Sequence, residues 1–530
     1  MGFWQRSRLI FNAFRDNANA SMRQVARHPG LSQSSVHRLG QAMERRHGHP
    51  ESWCWETEEG HRWLLRLVGA ALSHFGLKRG VGAETMRAFF ACLHLEQQVG
   101  GAPSTLRAVM EPLAPLIVET TEALEREGIA QGQRGPMVGS VDATFLERLM
   151  LVCMDLVRGD IVCEEGADDR TSETWSGRVK ARLAPMQTRV VSLVSDRAQA
   201  LITLAETGLE CPSIPEVFPL LSALVKGDSL AISRQWQAAH HALSHAQAHR
   251  DQLQASGTSE TEPQAAQSAV AACEAAVSHW EQGRETSRAH LTAMSLPVFP
   301  WRVTDSTPQT SHEVAAHLTA EVAAIQAWLA TNGLPVQQQV LGKVRPQLAG
   351  LAGGIDLGWQ EVRQGVQSQI VLTPMWAHWV EAHLLPLMYW EQQVLRTRCP
   401  RRNAKLLEAL EAVRAALEAH PLTAQLSPEV FVGWKAWAAV YAKLFQRASS
   451  AVEGRNGYLS QMHHNHRGLP KRRYKVWSAL HNFDCRASDG STPASRFFRR
   501  EFPDLFETVL AQIDELPRSR KRQPAIALSD

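Results

Sequence analysis

Residues 136–165 read PMVGSVDATFLERLMLVCMDLVRGDIVCEE, and this stretch decides the fold. Three short runs rich in Val, Leu, Met and Ile stand at 137–145, 149–157 and 160–164, separated by polar breaks. Runs of that length bounded by turn formers pair as hairpins, and Arg158-Gly159-Asp160 suits a tight turn. Three consecutive antiparallel strands are therefore predicted. Asp142 lies inside the first. A carboxylate in an apolar strand is costly to bury unless something pairs with it, and a metal ion would offset that cost.

Downstream, SETWSGRVKARLAP (172–185) has helical spacing, and TRVVSLVSD (188–196) is a fourth apolar strand ending at Asp196. Arg197-Ala198-Gln199 then opens a helix through Leu201, Ile202, Leu204 and Ala205. Taken alone, Asp196 reads first as the N-cap of that helix.

Beyond Leu209 the pattern stays helical for a long way. Residues 229–292 form two long helices divided by the polar tract ASGTSETEP (255–263), which suits a helical hairpin. Helical runs follow at 311–332, 359–371, 374–397 and 402–420, broken by Pro and by LAGLAGGIDLG (348–358). His240, His241, His245 and His249 share helical spacing without partners for a metal site, and read as a solvated face.

A further apolar helix, EVFVGWKAWAAVYAKLFQR (429–447), leads into SSAVEGRNGYLS (449–460), where Glu453 is followed by Arg455 and Asn456. His463, His464, Arg467, Lys471, Arg472 and Arg473 come next. Such a basic run beside a carboxylate suits a polyanion held near a metal ion, and its plain alternative is a solvated surface. The tail from Arg486 holds an amphipathic segment and ends in the basic PRSRKRQP.

Upstream, ASMRQVARHPGLSQSSVHRLGQAMERR (20–46) reads as two short helices around Pro29-Gly30, with Val25, Ala26, Leu31, Val36 and Leu39 as a small core. The exposed face of the second helix offers Gln33, Ser34, Ser35, His37 and Arg38, side chains that reach phosphates and base edges. The pair resembles a helix-turn-helix DNA reader, with a plain helical hairpin as its alternative. From Glu56 to Glu127 the spacing is helical, and Trp53, Trp55 and Trp63 read as packing residues.

At 530 residues the chain exceeds one ordinary core. With 44% hydrophobic and 21% charged residues it has the balance of a folded protein, and its formal charge of +3 identifies no partner. Eight cysteines without a CxxC pair argue against a zinc ribbon or disulfide scaffold, and read as reduced, mostly buried thiols. The N-terminus lacks the apolar core of a secretory signal, and no run of about 18 apolar residues suggests a membrane span. A cytoplasmic location is expected.

The chain resembles a bacterial insertion-sequence transposase of the DDE type. Three motifs carry the resemblance: VGSVDATF (138–145), VVSLVSDRAQALI (190–202) and SSAVEGRNGYLS (449–460), in that order over roughly residues 20–500. The resemblance implies an α+β, predominantly helical protein: a helix-turn-helix (1–50), a helical domain (51–134), and a ribonuclease-H-like core with a mixed five-stranded sheet (135–210 and 429–485). An all-α insertion (211–428) would interrupt that core, and the amphipathic segment and basic tail (486–530) would follow it. It also implies that Asp142, Asp196 and Glu453 hold two magnesium ions, replaceable by manganese, for cleavage and strand transfer of double-stranded DNA. Arg455, Asn456, Arg467, Lys471, Arg472 and Arg473 would then contact the DNA. A nucleoid-associated homo-oligomer is expected on DNA.

One large group of these enzymes carries a tyrosine and an arginine before the glutamate and a lysine after it; here Gln446, Ser449 and Ser460 stand there. The chain lies outside that group. Trp236, Trp280, Trp301 and Trp328 match by type the insertion tryptophan that some transposases use on a flipped base. Two other functions fit the same residues: an inactive, transposase-derived DNA-binding protein, or a structure-selective nuclease.

Overall fold

The computed structural model describes residues 3–28, 31–99, 102–133, 135–256, 261–335, 338–367, 373–445, 450–466, 473–487 and 489–513. It opens on helices α1 (Phe3–Asp16), α2 (Met22–Val25) and α3 (Gln33–Arg46). Ile10 and Phe11 of α1 join Val25, Leu31, Val36, Leu39 and Met43 in one small core. The expected two-helix unit thus has three helices, because a one-turn α2 beside α3 leaves those apolar side chains uncovered without α1. The Pro29-Gly30 turn lies outside the described residues.

A buried polar network ties this three-helix unit to the next helices of the chain. Arg46 donates from Nε to Glu56 Oε1 at 2.6 Å and from a terminal nitrogen to Ser7 Oγ at 2.8 Å, and Gln98 donates to the Arg46 carbonyl at 3.0 Å. Glu56 ends a 3-10 helix, Pro50–Glu56, that leads into α4 (Glu58–Ala70), α5 (Ala83–Cys92) and α6 (Pro103–Gln131). Trp53 and Trp63 are more than half exposed, contrary to their reading as packing residues. The inward stripe of α4 is His61, Leu64 and Val68, and Trp63 lies off it.

The sheet contains β1 (Met137–Leu146), β2 (Arg148–Asp155), β3 (Ile161–Ala167), β4 (Val190–Ser195) and β5 (Ser213–Pro215), in the order β3-β2-β1-β4-β5. The β1/β2 and β2/β3 pairs are antiparallel, and β1/β4 and β4/β5 are parallel. Gly159, at φ +81°, turns β2 into β3 as the Arg158-Gly159-Asp160 break predicts. Strand alternation sends Leu151 and Cys153 to one face, under Trp175, Val179 and Leu183 of α7 (Ser172–Met186). Met150, Val152 and Met154 point to the other face, against Val452, Leu459, Met462 and Trp477.

Helix α8 (Gln199–Thr203) leads to β5 and then to a helical block. Helices α9 (Val217–Ser256) and α10 (Thr261–Ser295) pack along one another. Then come α11 (Ser311–Thr331), α12 (Gln338–Gln367), α13 (Pro374–Trp379), α14 (Leu385–Arg396), α15 (Pro400–Ala419) and α16 (Pro428–Ala442). Trp301, Trp359, Trp379 and Trp390 form the centre of its core, and each indole N–H reaches an oxygen at 2.9–3.2 Å.

The helical block corrects one expectation. Helix α12 runs unbroken through 348–358, because the glycines let rings approach: a Cβ at Gly358 would stand 2.4 Å from the Phe445 ring. Helix α16 buries Ala438 and Ala442 in the core of the helical block, and its Val440 and Tyr441 pack against Val138, Val194 and Ile214 of the sheet. Its apolar spacing requires burial but does not say against what.

Helices α17 (Ser450–His466) and α18 (Arg473–Asp484) return to the sheet. The last helices, α19 (Pro493–Phe498) and α20 (Leu505–Leu510), bury Phe497, Phe498, Leu505 and Val509 against Leu64, Leu113 and Leu124 of α4 and α6. The fold is α+β and predominantly helical, around a mixed five-stranded sheet. Among the described residues no helix is long and apolar enough to cross a membrane. The eight cysteines are free, but only Cys153, Cys163 and Cys211 are buried, fewer than expected.

Candidate metal centre

Register brings the first two carboxylates together. Ser140 of β1 pairs with Val194 of the parallel β4, so two residues further along Asp142 stands beside Asp196 at the same sheet edge. Neighbouring strands lie about 4.8 Å apart. Asp142 is half-buried and Asp196 is exposed just past the end of β4. Backbone N–H groups orient both: Ala143 donates to Asp142 Oδ1 at 2.8 Å, and Ala198 to Asp196 Oδ1 at 2.9 Å. Between them Arg197 takes a left-handed φ of 62°, which carries the chain off the sheet.

Helix α17 supplies the third. Glu453 lies exposed in its first turn, and Asn456, one turn on, donates from Nδ2 to Asp142 Oδ2 at 2.7 Å. The carboxylate fixes the orientation of the Asn456 amide, and its Oδ1 is buried without a hydrogen-bond partner. Burial raises the Asp142 carboxyl above the ordinary carboxylate range, and the charges of Asp196 and Glu453 add to that. The Ala143 and Asn456 hydrogen bonds oppose it. Asp142 thus feels both other carboxylates, although the donor atoms of the three do not all lie within 4.8 Å of one another.

Arg455 faces the other way. It is buried, donating from a terminal nitrogen to Glu164 Oε1 at 2.7 Å and from Nε to Glu164 Oε2, and its guanidinium lies 4.7 Å from the Tyr458 ring. Ser478 of α18 donates to Glu164 Oε1 at 2.9 Å. The expected DNA contact at Arg455 is therefore corrected: the side chain anchors α17 to β3. Asn456 likewise spends its amide on Asp142. The N-terminal helical domain steadies the same helices, with Tyr458 Oη donating to the Lys78 carbonyl at 3.0 Å and Trp477 Nε1 to the Leu77 carbonyl at 3.1 Å.

Of the remaining expected contacts, Gln33, Ser34, His37 and Arg38 are exposed on α3. Ser35 is half-buried, and its hydroxyl accepts from Ser32 within the helix cap at 2.9 Å, which removes it from that outward face. His464 is exposed, and His463 Nε2 lies 3.4 Å from Glu147 Oε1. Arg467, Lys471 and Arg472 lie outside the described residues, and only the backbone of Arg473 is described, at the start of α18. Trp301 is fully buried, Trp236 lies 4.6 Å beneath the Arg284 guanidinium, and Trp280 and Trp328 pack near Ile232 and Leu329.

The sequence reading missed the Asn456–Asp142 bond, although a spacing of three on one helix places Asn456 on the Glu453 face. It also missed Glu164, which no local pattern ties to Arg455.

The site offers oxygen donors, the carboxylates of Asp142, Asp196 and Glu453. Such a set suits a hard divalent cation of the magnesium or manganese kind. Like charges that act on one another gain further from a bound cation.

Residues 380–525 match a family of unknown function (DUF6399). That span holds Glu453 but neither Asp142 nor Asp196. No curated protein and no solved structure matches the chain.

Proposed function

We propose that this chain is a DDE-type DNA transposase with a ribonuclease-H-like core, in which Asp142, Asp196 and Glu453 hold two magnesium ions. The observation that carries the reading is that Asp142 of β1 stands beside the end of β4 and feels the charges of both Asp196 and Glu453. The strand order and the helical block between β5 and α16 agree with it. Bound there, magnesium would favour attack on a phosphodiester and stabilise the leaving oxygen.

The chain's own residues have separate tasks in this reading. Asn456 holds Asp142 in one rotamer through its Nδ2. The Arg455–Glu164 pair keeps α17, and with it Glu453, against the sheet. The exposed face of α3 would dock double-stranded DNA through Gln33, Ser34, His37 and Arg38.

The test is cleavage and joining of DNA carrying the ends of the chain's own element, with magnesium, by the full-length protein. Asp142→Ala should abolish both reactions. Unchanged activity in that variant would sink the proposal. A second reading, a DNA-binding protein without catalysis, draws on Asp196, whose Oδ1 already accepts Ala198 N–H as an ordinary turn residue does. It predicts metal-independent binding and no cleavage with any divalent ion.

A further inference from the structure

A second group of donor atoms lies far from the carboxylates in sequence, where the segment after α3 meets the end of α5. His49 precedes the 3-10 helix Pro50–Glu56, Glu51 stands in its first turn, and His94 follows α5 with a left-handed φ of 54°. The His49 and His94 rings lie face to face, with centroids 3.7 Å apart and planes 6° from parallel. His94 Nδ1 is 2.7 Å from Glu51 Oε1. One donor atom from each residue lies within 4.8 Å of the others, and all three side chains are exposed.

The donor types decide what the group would take. Two imidazole nitrogens and one carboxylate oxygen suit zinc and its neighbours cobalt and nickel, whereas magnesium prefers an all-oxygen set. Ligands about 2.0–2.2 Å from a tetrahedral zinc ion stand about 3.3 Å from one another. Rotation of three exposed side chains closes the remaining distance, and tilting the parallel rings lets their lone pairs converge.

We propose that His49, Glu51 and His94 form a divalent transition-metal site of the zinc class, pinning the segment after α3 to the end of α5. The Arg46–Glu56–Ser7 network, the Gln98–Arg46 bond and the Arg8–Glu58 pair already attach the three-helix unit. A bound ion would replace the His94–Glu51 contact with a three-ligand tie. The site shares no residue with the carboxylate centre, and the inference stands apart from the proposed function.

The experiment uses full-length protein stripped by chelator and carrying Asp142→Asn, so that the carboxylate centre is disabled, in excess magnesium. Cobalt(II) is titrated and followed by visible absorption and calorimetry. One equivalent should bind, give the d–d bands of an imidazole-ligated ion, and be displaced by zinc with a rise in melting temperature. Adding His49→Ala or His94→Ala should weaken binding by more than about 100-fold, since even an outer partner of a metal ligand is worth about 10- to 100-fold. Glu51→Gln should weaken it in the same direction. No cobalt binding in the parent overturns the proposal, and so does binding that survives in the His49→Ala/His94→Ala double variant, because other histidines would then be the ligands.

Discussion

Asn456 donates its side-chain amide to Asp142 Oδ2 at 2.7 Å, across 314 residues of sequence. The bond orients a carboxylate that feels the charges of two others, and Asn456 Oδ1 is buried without a hydrogen-bond partner. Asn456→Ala should therefore weaken manganese binding by about 10- to 100-fold, as losing a partner that orients a metal ligand does elsewhere. Calorimetry on the chelator-stripped protein measures this directly. Unchanged affinity would show that the bond serves packing alone.

The burial of Asp142, with the like charges around it, predicts an effect on stability without metal. Its carboxyl titrates above the unfolded value, so near the midpoint the folded chain holds more protons than the unfolded one. Stability contributed by this group is present at low pH and lost as pH rises through the raised pKa. In chelator at neutral pH, Asp142→Asn should raise the melting temperature, whereas the parent should gain more from added manganese than the variant does. Manganese affinity of the parent should fall as pH drops through the same window.

The Arg455–Glu164 pair is closed to solvent, with side-chain exposures of 5% and 0%. Removing one partner strands a buried charge, which costs about 3–5 kcal/mol. Arg455→Met should lower unfolding free energy in urea by that amount, and Arg455→Met/Glu164→Leu should recover most of it. A cost under about 1 kcal/mol for Arg455→Met would place the pair among solvated bridges.

How far the sequence revealed the fold and the site depended on whether the signal was local. The four longer strands announced themselves through short apolar runs, and Asp142 stood out as a carboxylate within one. The strand β5 is three residues long and ends in Pro215, too short for any period. Helix α1 carries Ile10 and Phe11 at helical spacing, yet its docking on α3 depends on residues more than twenty positions away. Arg455 misled for the same reason. A basic residue beside a glutamate reads as surface until its partner Glu164, 291 residues earlier, is found.

His481 sets a pH limit on the junction between α18 and the β2–β3 turn. Its Nε2 lies 2.8 Å from the Gly159 carbonyl and donates to it, and burial, helped by the Arg455 charge, lowers its pKa to about 4. The unfolded chain thus binds the extra proton first. Stability from this group is complete above the unfolded value of 6.5 and is lost as pH falls toward 4. Its full size is about 3 kcal/mol. His481→Gln should flatten the pH dependence of the urea midpoint across that window.

The outward face of α3 offers the test that separates DNA reading from simple packing. Val36, Leu39 and Met43 face inward, so Gln33, His37 and Arg38 can change without disturbing the small core. Arg38→Ala should weaken binding to the element's end and to unrelated DNA alike, and reduce the slope of affinity against salt by about 1 if the side chain meets a phosphate. Gln33→Ala should instead lower the preference for the end sequence, by about 1–3 kcal/mol if it pairs with a base. Neither variant should move the melting temperature. A Val36→Asp variant should unfold the unit and abolish binding of both kinds. If Gln33→Ala and Arg38→Ala both leave affinity and salt slope unchanged, α3 does not meet DNA and the three-helix unit is a packing element.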